Sequence, residues 1–352
     1  MPPIYVSRQY LFVAEMSRSG PLYRYDPLTG NYMDKFAVTG PLGDAVPFDM
    51  EVGPDAWLYL LPLRSNQVWR FNPRTGKNTG TLVSDVDPTS PNRLAYSMTF
   101  GPDGNLYLGT QHPDPSDTKS DVYRFDGRTG VLLGPFVPTR SGGSDGPRSI
   151  AFGPDGHFYF SSEETNSIHR HHGATGAFID AFVSPGSGGL SAPQDLLFGP
   201  DNKLYVIGCS QRGWPEADRI LQYDGSTGAF LGQIIAPSSQ FGRPISMAFG
   251  PDGNLYVGST FPGAQARILV YDRLTGTYLR SLDPLNSADL SLPKAMVFAD
   301  VSSIVRELTP LSRIPRWMWV VGLGVAIGLA LAGRSVQPGD GTRTIRNTAR
   351  YG

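Results

Sequence analysis

The chain has 352 residues, a length that accommodates one large domain or two of ordinary size. Its 30 Lys and Arg residues are balanced by 31 Asp and Glu residues. A formal net charge of −1 leaves no basic excess to neutralise a phosphate backbone, which argues against a nucleic-acid partner. The single cysteine, Cys209, cannot form an internal disulfide.

The N-terminal residues lack the features of a secretion signal. Up to Met16 the chain contains neither a basic segment nor the apolar run of roughly 7 to 15 residues that a signal peptide requires. We therefore expect no cleavable signal, and we assign residues 1–9 to a short extension ahead of the folded domain.

Two short motifs recur along the chain in a common phase. Gly-Pro-Asp begins at Gly53 and at four later glycines spaced 46 to 52 residues apart, and Thr-Gly recurs at six positions spaced 46 to 54 residues apart, from Thr29 to Thr275. Each unit contains four strand-like runs, a to d, with Gly-Pro-Asp between a and b and Thr-Gly between c and d. Four-stranded units at this spacing predict a β-propeller, and six Thr-Gly turns predict six blades.

The two ends of the repeat array are incomplete in complementary ways. Residues 10–37 supply strands b, c and d, whereas residues 295–298 form a strand a that no Gly-Pro-Asp follows. We predict that they share one blade, because an open ring would leave exposed strand edges. The predicted fold is therefore all-β: a six-bladed propeller over residues 10–300, closed by N-terminal strands b, c and d plus C-terminal strand a.

The repeat resembles that of a known family. Residues 249–257 read Phe-Gly-Pro-Asp-Gly-Asn-Leu-Tyr-Val, and residues 223–232 read Tyr-Asp-Gly-Ser-Thr-Gly-Ala-Phe-Leu-Gly. These phrases resemble bacterial NHL-repeat propellers and the wider superfamily of gluconolactonase-like and virginiamycin B lyase-like enzymes. The resemblance covers residues 10–299 and implies the fold. It leaves the function open, because propellers host both binding and catalysis.

A polar ring is predicted in the central channel. Aligning the a strands on their last apolar residue places five polar residues and one alanine at an equivalent position: Asp49, Ser97, Ser149, Asp195, Ser246 and Ala295. Converging carboxylates and hydroxyls suit a small polar ligand, or a divalent cation such as Ca²⁺ or Mg²⁺ with Asp49 and Asp195 as its ligands. The alternative is a hydrated channel whose polar groups are already satisfied.

The resemblance to the two enzyme branches gives an alternative function. The gluconolactonase-like branch implies a divalent metal held by Glu, Asn and Asp, to which Asp49 and Asp195 would contribute, although its Asn motifs are not recognisable here. The lyase-like branch implies His and Glu residues from several blades. Glu163 follows a loosely similar strand b, but Arg148 and Gln194 occupy the positions nearest to the expected histidines.

The b–c and d–a connections vary in length and are predicted to share one face, where loops commonly carry function. On this face Trp214 is the candidate anchor for a partner. His169, His171 and His172 stand where sister units have aromatic or turn-forming residues, so we interpret them as structural.

We therefore predict a non-enzymatic binding or scaffold module for a protein or small polar ligand, with a metal-dependent lactonase-like or lyase-like enzyme as the alternative.

The C-terminal region is predicted to attach the propeller to a membrane. A proline-marked linker at 301–316 precedes an uncharged stretch at 317–333, and a basic tail predicted to be disordered follows at 334–352. The stretch is at the short end of the roughly 17 to 25 residues that span a bilayer. We predict a single-pass transmembrane helix of undecided orientation. Gly324 and Gly328 within it would suit a helix-mediated dimer.

Overall fold

A computed structural model describes residues 9–17, 20–38, 46–63, 67–85, 94–111, 122–138, 140–143, 147–209, 218–236, 242–261, 264–282 and 290–301. All of these residues belong to one compact unit, Met1–Ile304.

The described residues form six antiparallel sheets of four strands each, which confirms the all-β, six-bladed propeller. Blade 1 contains β1 (Gln9–Glu15), β2 (Pro21–Tyr25), β3 (Tyr32–Val38) and β24 (Pro293–Asp300). Blade 2 contains β4 (Val46–Val52), β5 (Leu58–Leu63), β6 (Val68–Phe71) and β7 (Asn78–Val83). Blade 3 contains β8 (Leu94–Phe100), β9 (Leu106–Gln111), β10 (Val122–Phe125) and β11 (Leu132–Val137).

The remaining three blades are ordered like blades 2 and 3, from the innermost strand a outward. Blade 4 contains β12 (Pro147–Phe152), β13 (Phe158–Ser162), β14 (Ser167–His171) and β15 (Phe178–Val183). Blade 5 contains β16 (Pro193–Phe198), β17 (Lys203–Gly208), β18 (Arg219–Asp224) and β19 (Phe230–Ile235). Blade 6 contains β20 (Arg243–Phe249), β21 (Leu255–Phe261), β22 (Ala264–Tyr271) and β23 (Tyr278–Ser281). Short 3₁₀ turns, Ser141–Gly143 and Ser187–Gly189, precede β12 and β16.

Blade 1 closes the ring as predicted. Strand β24 pairs antiparallel with β1, with Phe298 opposite Leu11. At the end of β1 the buried carboxylate of Glu15 accepts hydrogen bonds from the Ser291 hydroxyl at 2.5 Å and from the N–H groups of Ser291 and Leu292 at 3.2 and 3.1 Å. The two ends of the propeller are therefore joined by a sheet and by a charged clasp.

One repeated contact explains why Gly-Pro-Asp and the tyrosine of strand b recur together. The Tyr107 hydroxyl donates to Asp103 at 2.9 Å, and its ring packs edge-on against Phe152 of the next blade with 4.9 Å between centroids. Five strand-b tyrosines make the same bond to the turn aspartate: Tyr59, Tyr107, Tyr159, Tyr205 and Tyr256. The aspartate thus fixes the ring that seals the junction between blades.

The histidines of blade 4 have the structural roles expected from their sister positions. His169 and His171 are buried, and burial lowers the pKa of both, to about 4 for His171. The Nδ1 atom of His172 accepts the N–H of Ala174 at 3.3 Å, which is the turn bond that an aspartate accepts in other blades. Within the described ranges, no three His, Cys, Asp or Glu side chains are grouped to hold a metal ion.

No helix in the described part of the chain is long and apolar enough to cross a bilayer. The predicted span at 317–333, with Gly324 and Gly328, lies outside the described residues, as do the tail at 334–352 and Trp214.

Candidate functional site in the central channel

The innermost strand of every blade carries a β-bulge at the same place. In β4 the pairing register shifts between Pro47 and Asp49, and equivalent shifts occur in β8, β12, β16 and β20 and at the pairing of β24 with β1. A bulge adds one residue to a strand and re-aims its side chain. As a result the extra residue, Phe48 in β4, lines the channel together with Asp49.

The channel has a volume of about 680 Å³, and three layers of its wall bear polar side chains. The outer layer, at the face where the a strands begin, contains the bulge residues Phe48, Tyr96, Arg148, Gln194 and Lys294. The middle layer is the predicted ring of Asp49, Ser97, Ser149, Asp195, Ser246 and Ala295. The inner layer contains Glu51, Thr99, Ala151, Leu197, Ala248 and Val297.

In the middle layer Asp195 joins three blades. Its Oδ1 accepts the Leu196 N–H at 3.0 Å and the Ser149 hydroxyl of blade 4 at 2.9 Å. Its Oδ2 accepts the Met247 N–H of blade 6 at 3.0 Å. One carboxylate therefore holds the innermost strands of blades 4, 5 and 6 together.

Asp49 and Ser246 make related contacts. Asp49 Oδ1 accepts the next N–H along its own strand at 2.8 Å, and Oδ2 accepts the Met98 N–H of blade 3 at 2.7 Å. The Ser246 hydroxyl donates to the Pro293 carbonyl of blade 1 at 2.6 Å. Ring side chains thus latch four of the six blade junctions, and every oxygen of the two ring carboxylates accepts a hydrogen bond.

The ring carboxylates are electrostatically unusual. Burial raises the pKa of Asp49 to about 6 and raises that of Asp195, while the N–H donors and the Lys294 ammonium act in the opposite direction. Because protein groups already occupy these oxygens, a cation held by Asp49 and Asp195 would have to share them with the blade latches. The cation site stays a prediction.

Replacing Asp195 with Ala is expected to destabilise the propeller by about 2–3 kcal/mol, because three donors lose a charged acceptor while channel water replaces part of the loss. Urea denaturation measures the difference. The control is Asp180→Ala, which removes a 44% exposed surface partner of Arg170 and should cost less than about 1 kcal/mol. Equal losses in both variants would contradict the latch.

In the outer layer, two cations surround one aromatic ring. The Arg148 guanidinium lies 5.5 Å from the ring centroid of Phe48 and 5.6 Å from that of Tyr96. The Lys294 ammonium lies 4.8 Å from the Phe48 centroid. Stacking on a ring face leaves the in-plane N–H groups of a guanidinium directed sideways, where a ligand can accept from them.

Hydrogen bonds fix Arg148 in place. Its Nε donates to Gln194 Oε1 at 3.2 Å and lies 3.9 Å from the Glu163 carboxylate. Gln194 Nε2 in turn donates to the Ala192 carbonyl at 3.3 Å. The structure therefore brings together three residues that the sequence analysis selected, Arg148 and Glu163 from blade 4 and Gln194 from blade 5.

Sequence reasoning missed two charged residues of the channel. Lys294 lines the mouth, and its pKa is lowered by burial and then by the nearby Arg148, against the attraction of Asp195 and Asp49. Glu51 lies one layer below Asp49, where burial and then repulsion by Asp49 and Asp195 raise its pKa to about 8. The sequence did contain a sign of the bulge that directs Lys294 into the channel. In five of the six innermost strands a proline, such as Pro293, lies two positions before the ring residue.

These features define the protein as a six-bladed β-propeller with a polar central channel. No family model matches the chain, and no curated protein matches its sequence significantly. A chain of the nidogen/laminin complex is similar in structure, with a TM-score of 0.60 and 13% identity over 83% of this chain and 98% of that chain.

Two further solved structures with a similar fold are those of a candidate enzyme and an enzyme. A candidate 6-phosphogluconolactonase from Bacteroides fragilis has a TM-score of 0.53 and 14% identity, covering 85% of this chain and 100% of that chain. Virginiamycin B lyase from Staphylococcus aureus has a TM-score of 0.50 and 17% identity, covering 72% and 77%. At these identities the two structures show a likeness of fold alone, and membership of the NHL-repeat family is not confirmed.

Proposed function

We propose that this chain is a non-enzymatic ligand-binding propeller that takes a small polar molecule into the mouth of its channel. The observation that carries the proposal is the bulge shared by all six innermost strands, which directs Arg148, Gln194 and Lys294 toward the entrance. A volume of about 680 Å³ is typical of small-molecule sites. A few polar groups beside the Phe48 and Tyr96 rings are also typical of such sites.

The membrane and partner roles belong to the same proposal. Each innermost strand begins at the mouth, so β24 ends at the opposite face of the propeller. Residues 317–333, which follow β24 in the sequence, would anchor the chain to a membrane. Strand β17 ends and β18 begins at the mouth face, and Trp214, which lies between them in the sequence, would contact a protein partner.

A lactonase-like or lyase-like activity is the second candidate. Burial raises the pKa of Asp49 to about 6 and that of Glu51 to about 8, so both carboxyls change protonation near neutral pH. Groups of this kind serve as acids and bases in active sites. The fold likeness to a lyase and to a candidate lactonase agrees with this alternative.

Thermal shift and calorimetry on the full chain test the proposal, with glucose, gluconate and glucono-δ-lactone as probes. We expect at least one probe to raise the melting temperature, and we expect Gln194→Leu to weaken its binding about tenfold by removing a hydrogen-bonding amide. The matched control is Gln233→Leu, on the outermost strand β19, which should bind as the wild type does.

Lactone hydrolysis, followed by proton release, distinguishes the two candidates. Binding without turnover supports the ligand-binding module. EDTA-sensitive hydrolysis that is lost in Asp49→Asn and Asp195→Asn would establish the enzyme instead. If no probe shifts the melting temperature and none turns over, the proposal fails for sugar-like ligands.

A further inference from the structure

A second cavity of about 180 Å³ opens beside the channel mouth, where blades 5, 6 and 1 meet. Its wall contains the basic side chains of Arg148, Arg243 and Lys294, the amide of Gln194 and the hydroxyl-bearing Thr260. Within the part of the chain that the structure describes, no carboxylate lines this cavity. We name it the basic pocket.

The basic pocket concentrates positive charge. Lys294 and Arg148 are close enough that the guanidinium helps to lower the pKa of the ammonium, second only to burial. Four carboxylates act against this charge, and none of them lines the pocket wall. Asp49 and Asp195 belong to the middle layer of the channel, Glu163 lies 3.9 Å from Arg148, and Asp218 lies near Cys209. Like charges held together in a partly buried cavity favour binding of an anion between them.

The Cys209 thiol adds no negative charge to the pocket. Burial, followed by the nearby Asp218, raises its pKa to about 12, so the sulfur stays protonated at neutral pH. It lies 3.9 Å from the Pro244 carbonyl, as a weak donor. The polar groups offered to a ligand are therefore predominantly donors and cations.

We propose that the basic pocket binds the phosphate group of a small phosphate monoester whose polar remainder extends into the channel mouth. A phosphate dianion has three terminal oxygens, which match three basic side chains from different blades, and guanidinium groups bind phosphate through paired N–H donors. A carboxylate is a planar monoanion that one guanidinium satisfies. The proposal deepens the proposed function and rests on it only for the location of the remainder.

Titration calorimetry on the full chain tests this site with inorganic phosphate, acetate and glucose 6-phosphate, at an ionic strength held constant with chloride. We expect phosphate to bind, and Arg243→Gln and Lys294→Gln each to weaken it at least about tenfold. Arg128→Gln is the matched control, because Arg128 is exposed on the c–d turn of blade 3. It should leave the affinity for phosphate unchanged.

Each outcome decides between the two proposals. Equal phosphate affinity in wild type and Arg243→Gln, no phosphate binding, or acetate binding as tight as phosphate would overturn the basic pocket as a phosphate site. Glucose 6-phosphate binding more tightly than phosphate supports both the pocket and the channel mouth. If the two bind equally, the basic pocket stands and the proposed channel ligand loses its support.

Discussion

Deletion of residues 1–38 is expected to abolish cooperative unfolding of the propeller. It removes β1, β2 and β3, and with them the strand that pairs with β24. Burial of a large apolar side chain stabilises a fold by about 1.5–3 kcal/mol, so the combined loss is comparable with the entire net stability of a typical domain, about 5–15 kcal/mol. Six of the large side chains removed are at most 1% exposed: Leu11, Phe12, Val13, Leu22, Tyr23 and Tyr25.

Near-UV circular dichroism and urea denaturation measure this effect, and truncation after Ile304 is the control. The truncation removes more residues but no described strand, so it should leave the cooperative transition in place. Glu15→Gln is a milder variant of the same test. It weakens the clasp to Ser291 and Leu292 and should cost about 1–3 kcal/mol. A cooperative melt unchanged by the deletion would contradict closure through blade 1.

The fold was largely predictable because short turn motifs, which depend only on neighbouring residues, mark every repeat. Gly-Pro-Asp turns and Thr-Gly turns specify hairpins within a few residues. Their shared phase therefore reveals both the blade count and the incomplete units that close the ring. The turn motifs do not show which contacts a motif residue makes outside its own turn. Asp103 is sufficiently explained as a turn former, yet it also binds the Tyr107 hydroxyl at the junction between blades.

The channel was predictable only in part, because a bulge breaks the alternation of side chains along a strand. Regular alternation directs Ser149 into the channel and Arg148 away from it, whereas the bulge directs both inward. Arg148 and Gln194 entered the sequence analysis through a resemblance. Lys294 was missed because regular alternation directs it, like Arg148, away from the channel. Proline cannot donate to a sheet ladder, so Pro293 was a usable sign of the bulge.

The blade latches could not have been predicted from the residues that form them. Asp195 accepts the backbone N–H of Met247, which lies in the next blade. Every residue except proline has such an N–H, so no side-chain pattern marks the partner. The sequence therefore does not distinguish a carboxylate that accepts hydrogen bonds from the backbone from a carboxylate that coordinates a metal ion.

Glu51→Gln is expected to stabilise the propeller at alkaline pH. Folding raises the pKa of Glu51 from 4.5 to about 8, chiefly because burial disfavours the charged form. The folded state therefore binds more protons than the unfolded state between these values, so wild-type stability falls as the pH rises through this range. Glutamine does not titrate, and the variant should exceed the wild type by up to about 5 kcal/mol above pH 8.

Urea denaturation at intervals between pH 6 and pH 8 isolates this effect, because Asp49 titrates at about 6 and Glu51 at about 8. The buried histidines His169 and His171 regain their ordinary pKa of 6.5 on unfolding, so they add a slope inside this window that is the same in wild type and variant and cancels in the comparison. The control is Glu163→Gln, which removes a 39% exposed carboxyl at the mouth and should keep the wild-type slope. If Glu51→Gln also keeps that slope, channel water solvates Glu51 well enough to remove it as a candidate acid or base, and the enzymatic alternative loses its main support.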